Sequence, residues 1–152
     1  GELVEDFTSI IKTRDICGLF VLDDGVDRVL DDNWKDILAK MDFVIVQSYA
    51  MTELAKSAHI VLPGLAPFER EGTITNDKGR IQWLRPSLAA KGNSKPDWEI
   101  LMLVSNALHR KSEHFADLGG VIKKMSDQFS TYSDISLFKI GTHGMALNGK
   151  SN

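Results

Sequence analysis

Three short apolar runs, separated by segments with helical periodicity, constrain this chain more than any other feature. Cys17 to Leu22, Phe43 to Val46 and His59 to Leu62 are rich in Val, Ile and Leu, too short and too β-branched to favour helix. Their hydrophobicity is continuous rather than alternating, as in strands covered on both faces within a parallel sheet. Between the first two runs, Trp34, Ile37, Leu38 and Met41 fall on the i, i+3, i+4, i+7 stripe of an amphipathic helix, with Asn33 placed to cap it. Between the second and third, Met51, Leu54, Ala55 and Ala58 repeat that spacing and predict a short crossover helix.

The expectation is therefore an α/β fold: a three-layer, Rossmann-like parallel sheet on a βαβαβ core, with helices on both faces and a C-terminal helical extension. After Pro63-Gly64 the pattern changes. Thr73 to Asn76 and Arg80 to Leu84 read as extended segments joined by the turn tripeptide Asp77-Lys78-Gly79. Ser94-Lys95-Pro96-Asp97 reads as a helix start, and Trp98 to Leu108, apolar on nearly all sides, as a buried helix. A last helix is predicted from about Phe115 to Phe129. From Ser130 onward Ser, Gly and Asn mix without a period, so residues 1–130 are expected to form one α/β domain and 131–152 an extended or disordered tail.

Composition removes several functions. Eighteen Lys and Arg against twenty-one Asp and Glu give a net charge of −3, with no broad basic field for nucleic acid or an anionic membrane. Phe43 to Val46 and Ile100 to Val104, the longest strongly apolar runs, fall far short of the ~20 residues of a membrane span, so no direct membrane insertion is expected. The acidic start Gly1-Glu2-Leu3-Val4-Glu5-Asp6 lacks the character of a secretory signal, which makes a reducing compartment the default. The single cysteine, Cys17, excludes an intrachain disulfide and any multi-cysteine zinc or iron–sulfur site built from this sequence.

Little else in the sequence carries chemistry by spacing. His59, His109, His114 and His143 do not fall at the i, i+3 or i, i+4 intervals that bring two ligands to one helix face, and Glu113-His114 makes no HExxH. Cys17, inside an apolar run, is expected to behave as a small inert hydrophobe. Where a dinucleotide loop would follow the first strand, Leu22 is followed by Asp23-Asp24-Gly25, whose carboxylates oppose phosphate. The densest polar stretch is Glu69 to Gln82, just past the end of the third predicted strand, where ligands of open α/β sheets bind. There Gly72 and Gly79 can turn sharply, Asn76 and Gln82 can read amide edges, and Arg80 can hold phosphate or carboxylate. On the residues alone, a plain surface hairpin with Asn at its turn accounts for the same stretch at least as well.

Taken as one composite pattern, Ala58-x-x-Val61-Leu62-Pro63, then Glu69-x-x-Gly72-Thr73-x-x-Asn76-x-x-Gly79-Arg80-x-Gln82, then Pro96-Asp97-Trp98-Glu99-Ile100-Leu101, resembles the molybdopterin oxidoreductase family. That family includes formate dehydrogenase large subunits and the large iron–sulfur G subunit of respiratory complex I. The resemblance covers about residues 43–104, with weaker likeness reaching Tyr132. It implies an α/β domain lining part of a molybdopterin guanine dinucleotide site, with Thr52, Glu71, Asn76, Gly79, Arg80 and Gln82 near the cofactor. It also implies that the metal ligand and the iron–sulfur clusters lie elsewhere in a parent protein, of which this chain is a fragment expected to be inactive alone. Two departures stand out: the usual Thr-Glu-Thr-Ala reads Thr52-Glu53-Leu54-Ala55, and the usual Ala-Asp before the third strand reads Ala58-His59. Leu54 cannot hydrogen-bond a pterin or a phosphate. That loss favours a cofactor-free structural domain of a complex I G subunit, cytoplasmic and peripheral to the membrane. Its expected partners are the rest of the parent subunit and neighbouring respiratory-complex subunits. A cofactor-binding piece of a formate dehydrogenase, and a stand-alone α/β binding module, remain the alternatives.

Overall fold

A computed structural model describes residues 16–25, 32–109 and 114–147, the side chains of Asn33 and His109 aside. The proposed Asn33 cap and the surroundings of His109 lie outside the described residues. The chain divides into two compact units, Gly1–Gly64 and Leu65–Asn152, whereas the sequence reading ran a single domain through residue 130.

The first unit is the expected βαβαβ core. Its elements are β1 (Gly18–Leu22), α1 (Asp32–Ala39), β2 (Phe43–Ser48), α2 (Glu53–Lys56) and β3 (Ile60–Pro63). The strands are parallel in the order β1-β2-β3, with Leu19 opposite Val44, and Val21, Val46 and Val61 in line. The core is one-sided: Val44, Val46 and their neighbours Leu19, Val21 and Val61 pack against Ile37 and Leu38 of α1 and Leu54 and Ala55 of α2. A sequential strand order with right-handed crossovers puts both helices on one face of a sheet, and that is the arrangement here. Helix α1 opens at Asp32, so Asn33 falls inside its first turn, and Lys40 and Met41 close it by donating to the carbonyls of Ile37 and Leu38. Cys17 precedes β1 and is exposed rather than buried in a strand, because the ladder starts one residue later.

The second unit is built on an antiparallel sheet. Strands β4 (Gly72–Thr75) and β5 (Arg80–Leu84) form the predicted hairpin, with Thr75 opposite Ile81. A third strand, β6 (Met145–Ala146), adds to β5 with Ile81 opposite Met145. Helices α3 (Asp97–His109) and α4 (Leu118–Gln128), a 3₁₀ turn at Ser130–Tyr132 and α5 (Leu137–Ile140) complete it. Its core is Ile81, Ile122, Ile135, Ile140 and Leu147, so the stretch after residue 131, read from sequence as a tail, supplies most of the buried side chains. Spacing hid this. Ile135, Ile140 and Leu147 sit singly on a turn, a one-turn helix and a strand end, with no shared period to betray them. Asp117 caps α4 by accepting from the Gly120 N–H, and Ser136 caps α5 by accepting from Lys139 N–H.

Helix α3 was expected to be buried and is not. Among its described side chains only Ile100 is buried, while Leu101, Leu103 and Leu108 are exposed. Ser94, read as part of the helix start, donates its hydroxyl to the Lys91 carbonyl instead. Among the described residues no helix is long and apolar enough to cross a membrane.

Candidate functional site

At the carboxyl edge of the parallel sheet the polar groups are already committed to one another. Thr52, only 3% exposed, is the N-cap of α2: its Oγ1 accepts from Ala55 N–H at 3.1 Å and donates to Asp23 Oδ2 at 2.6 Å. The other oxygen of Asp23 accepts from Gly25 N–H at 3.2 Å, an Asx turn that ends β1, while the Asp23 N–H donates to the Gln47 carbonyl. Gly25 adopts φ +72, and a Cβ there would stand 2.3 Å from the Tyr49 ring. Asp23, Gly25 and Thr52 are thus held by groups of this unit at the strand ends. Asp23 went unrecognised in the sequence, where Asp23-Asp24-Gly25 registers only as a bar to phosphate. The signal was there: Asp two residues before Gly at a strand end is an Asx-turn pattern.

The remaining candidates lie on the β4–β5 hairpin of the second unit, and Asn76, Gly79 and Arg80 meet in its turn. The Oδ1 of Asn76 accepts from the N–H groups of Lys78 and Arg80 at 3.1 and 2.9 Å. Gly79, at φ +72, donates its N–H to the Asn76 carbonyl, and its own carbonyl accepts from Leu147 N–H at 2.9 Å. The Arg80 guanidinium donates from Nε to the His143 carbonyl at 3.0 Å and from an Nη to the Gly144 carbonyl at 3.1 Å. Gly144 permits this closeness, since at φ +72 a Cβ would fall 2.5 Å from the Ile81 carbonyl oxygen. Glu71, just before β4, and Gln82, on β5, are exposed. Just before the hairpin, Glu69 accepts from Ala66 N–H, and Arg70 donates to the Leu65 carbonyl and faces Asp97 at 3.8 Å. The block that reads as ligand-binding in sequence is largely a set of turn and strand fasteners.

Other clusters add little chemistry. Among the described residues no group of three His, Cys, Asp or Glu side chains converges as a metal site would. His59 uses Nδ1 to accept from the Val44 N–H at 3.0 Å, which extends the β2–β3 ladder by a side chain. A cavity of about 350 Å³ lies beside α4 and α5, floored by Ile122 and Ile135. At its rim Lys123 pairs with Asp127, and Lys139 with Asp134.

Three of the residues that the resemblance places near a pterin dinucleotide, Thr52, Asn76 and Arg80, are engaged by groups of this chain, whereas Glu71 and Gln82 are exposed. Thr52 and Asn76 spend their acceptor oxygens on backbone N–H groups, Arg80 is turned onto two carbonyls, and the carboxylate at the end of β1 repels phosphate.

Comparison with known proteins gives a consistent picture. Residues 2–107 match the family model described as molybdopterin oxidoreductase. Over 100 residues the chain is 35% identical to "Putative formate dehydrogenase YrhE" of Bacillus subtilis, covering 64% of this chain and 10% of that protein. It is 30% identical over 109 residues to the F420-dependent formate dehydrogenase 2 subunit alpha of Methanococcus maripaludis, covering 71% of this chain and 16% of that one. To "Probable oxidoreductase YjgC" of Bacillus subtilis it is 42% identical over 89 residues, 57% of this chain and 9% of the relative. The chain therefore spans about one-tenth to one-sixth of the curated relatives it matches.

Proposed function

Because the chain belongs to the molybdopterin oxidoreductase family, we propose that it is a segment of a formate dehydrogenase-type alpha subunit and that its two units serve that parent as folded scaffold. The observation that carries the parent's identity is the set of relatives, two of the three named above being called formate dehydrogenases. The complex I reading favoured by the sequence has no counterpart in those names. What supports the scaffold role is the engagement of Thr52, Asn76 and Arg80 inside this chain's own caps, turns and strands. A molybdopterin guanine dinucleotide, with iron–sulfur clusters for onward electron transfer, would belong to the parent and be held by residues elsewhere in it. The partners of this domain are then the remaining domains of that parent.

Molybdenum, tungsten and iron analysis of the full-length parent, with a formate-dependent dye-reduction assay, tests the reading. Iron with molybdenum or tungsten, and formate-dependent turnover, is the expected result. Iron alone with no formate activity would return the assignment to a complex I-type subunit, and no metal would leave a binding module. The scaffold role has its own test in Arg80→Gln: a lowered melting temperature with undiminished molybdenum content is expected. Loss of metal at an unchanged melting temperature would make Arg80 a cofactor contact.

A further inference from the structure

Charge is unevenly spread along the chain. Residues 78–96 hold Lys78, Arg80, Arg85, Lys91 and Lys95 and no Asp or Glu, while the remainder carries thirteen Lys and Arg against twenty-one Asp and Glu, a balance of −8. All five cations are exposed, Lys78 in the β4–β5 turn, Arg80 on β5 and the others in the loop that leads to α3. Lys95 pairs with Glu99. Among the described residues Lys78, Arg80, Arg85 and Lys91 form no ion pair: the Arg80 guanidinium lies on two carbonyls and that of Arg85 lies 4.2 Å from the Trp83 ring centre, contacts that leave both charges uncompensated. The loop is also held in shape. The N–H groups of Ser87 and Leu88 donate to the Phe68 carbonyl at 2.9 and 3.0 Å, and the Ser94 hydroxyl and N–H both donate to the Lys91 carbonyl. The first pair of bonds brings the backbones of Phe68 and Leu88 together, and their side chains are 67% and 57% exposed.

We propose that residues 78–91, with Phe68, form a docking surface for a carboxylate-rich segment of another polypeptide, whose acidic side chains meet Lys78, Arg85 and Lys91 while its apolar ones cover Phe68 and Leu88. Charge complementarity decides the occupant. The cations are strung over a hairpin and a loop with exposed apolar side chains among them, which matches an extended segment of mixed acidic and apolar residues rather than one compact anion. A large polyanion such as nucleic acid or an anionic membrane would also face the excess of carboxylates on the rest of the chain, whereas a short acidic segment meets the cationic surface alone. Because the loop is already fixed by its hydrogen bonds, docking there costs little ordering of this chain. The inference goes beyond the functional reading and does not rest on formate as the parent's substrate.

Amide NMR titration of the 152-residue chain with a synthetic peptide of Glu and Leu in a 2:1 ratio tests it, a counterpart with Lys for every Glu serving as control. The expected result is shift changes at Phe68 and residues 78–91 from the Glu peptide alone, with a Kd weakened about fivefold or more between about 50 and 300 mM salt. Lys78→Gln with Lys91→Gln should weaken binding about fivefold or more, and Lys35→Gln with Lys123→Gln, exposed cations elsewhere, by less than about twofold. All four substitutions are at exposed positions, so the melting temperature should stay within about 2 °C of the starting chain and a change in binding reports the surface itself. No shift with the Glu peptide, equal binding of the Lys counterpart, or binding indifferent to Lys78→Gln with Lys91→Gln would overturn the proposal. Tighter binding of a thymidine oligonucleotide or of phosphatidylserine vesicles would overturn it too, by assigning the cations to a different polyanion. The parent's metal content and formate turnover judge the functional reading separately.

Discussion

Replacing Gly144 by Ala should unseat the last strand of the second unit, and two separable costs set the magnitude. The backbone at Gly144 is left-handed, φ +72, which charges an L residue about 1 kcal/mol. The added Cβ would stand 2.5 Å from the Ile81 carbonyl oxygen and 2.9 Å from Gln82 Cγ. The first of these is backbone and cannot swing aside, so β6 must lift from β5. That loosens the Leu147–Gly79 hydrogen bond, the Arg80 contacts to the His143 and Gly144 carbonyls and the seal over Ile81, which is 1% exposed. Two or three hydrogen bonds at about 1 kcal/mol each bring the total to about 3–4 kcal/mol. For a unit of this size that corresponds to a fall in melting temperature of roughly 12–30 °C. The control is Gly92→Ala, where φ is +60 and nothing lies within 4 Å, so only the backbone cost of about 1 kcal/mol applies. Thermal unfolding by circular dichroism gives both numbers, and amide exchange at Leu147 reports whether β6 is the part that opens. Equal losses at Gly144 and Gly92 would refute the seating of β6 on β5.

Two further substitutions probe the first unit. Thr52→Val removes both the α2 cap and the hydrogen bond to Asp23, leaving a carboxylate oxygen unpaired, and should cost about 2–3 kcal/mol in denaturant unfolding, whereas Thr52→Ser should recover most of it. His59→Leu takes the acceptor from the Val44 N–H and should cost about 1–2 kcal/mol, while His59→Asp, which restores a side-chain acceptor, should unfold within about 0.5 kcal/mol of the starting chain; equal losses for both would show that the Val44 bond contributes nothing.

How legible each part was follows from how local its signal is. The strands β1, β2 and β3 announce themselves because each is a short apolar run bounded by turn chemistry, and α1 because four residues fix its stripe. The hairpin was equally visible, since Asn76 and Gly79 are turn residues for reasons internal to the turn. Helix α3 misled because apolar residues on every side say only that a helix is covered in its complete setting. They do not say that this chain does the covering, and Leu101, Leu103 and Leu108 stay exposed. The pairing of β6 with β5 was invisible, because a two-residue strand has no period and its partner lies more than sixty positions earlier.

The candidate site divides along the same line. A composite pattern such as Glu69-x-x-Gly72-Thr73-x-x-Asn76-x-x-Gly79-Arg80-x-Gln82 marks a family whether its residues touch a ligand or hold a shape, and sequence alone cannot separate the two. Bond by bond, the geometry shows what these residues hold within the chain. Glu69, Asn76, Gly79 and Arg80 each have a backbone group of this chain as partner. The same holds for Thr52, whose hydroxyl both caps a helix and reaches Asp23, a carboxylate that the sequence offered only as an obstacle to phosphate. Residues of Asn, Gly, Thr and Arg type suit both roles because left-handed turns, helix caps and phosphate cradles make the same demand: backbone N–H and C=O groups satisfied at close quarters. In this chain Thr52, Asn76 and Arg80 meet that demand from within, and that engagement is what the proposed scaffold role rests on.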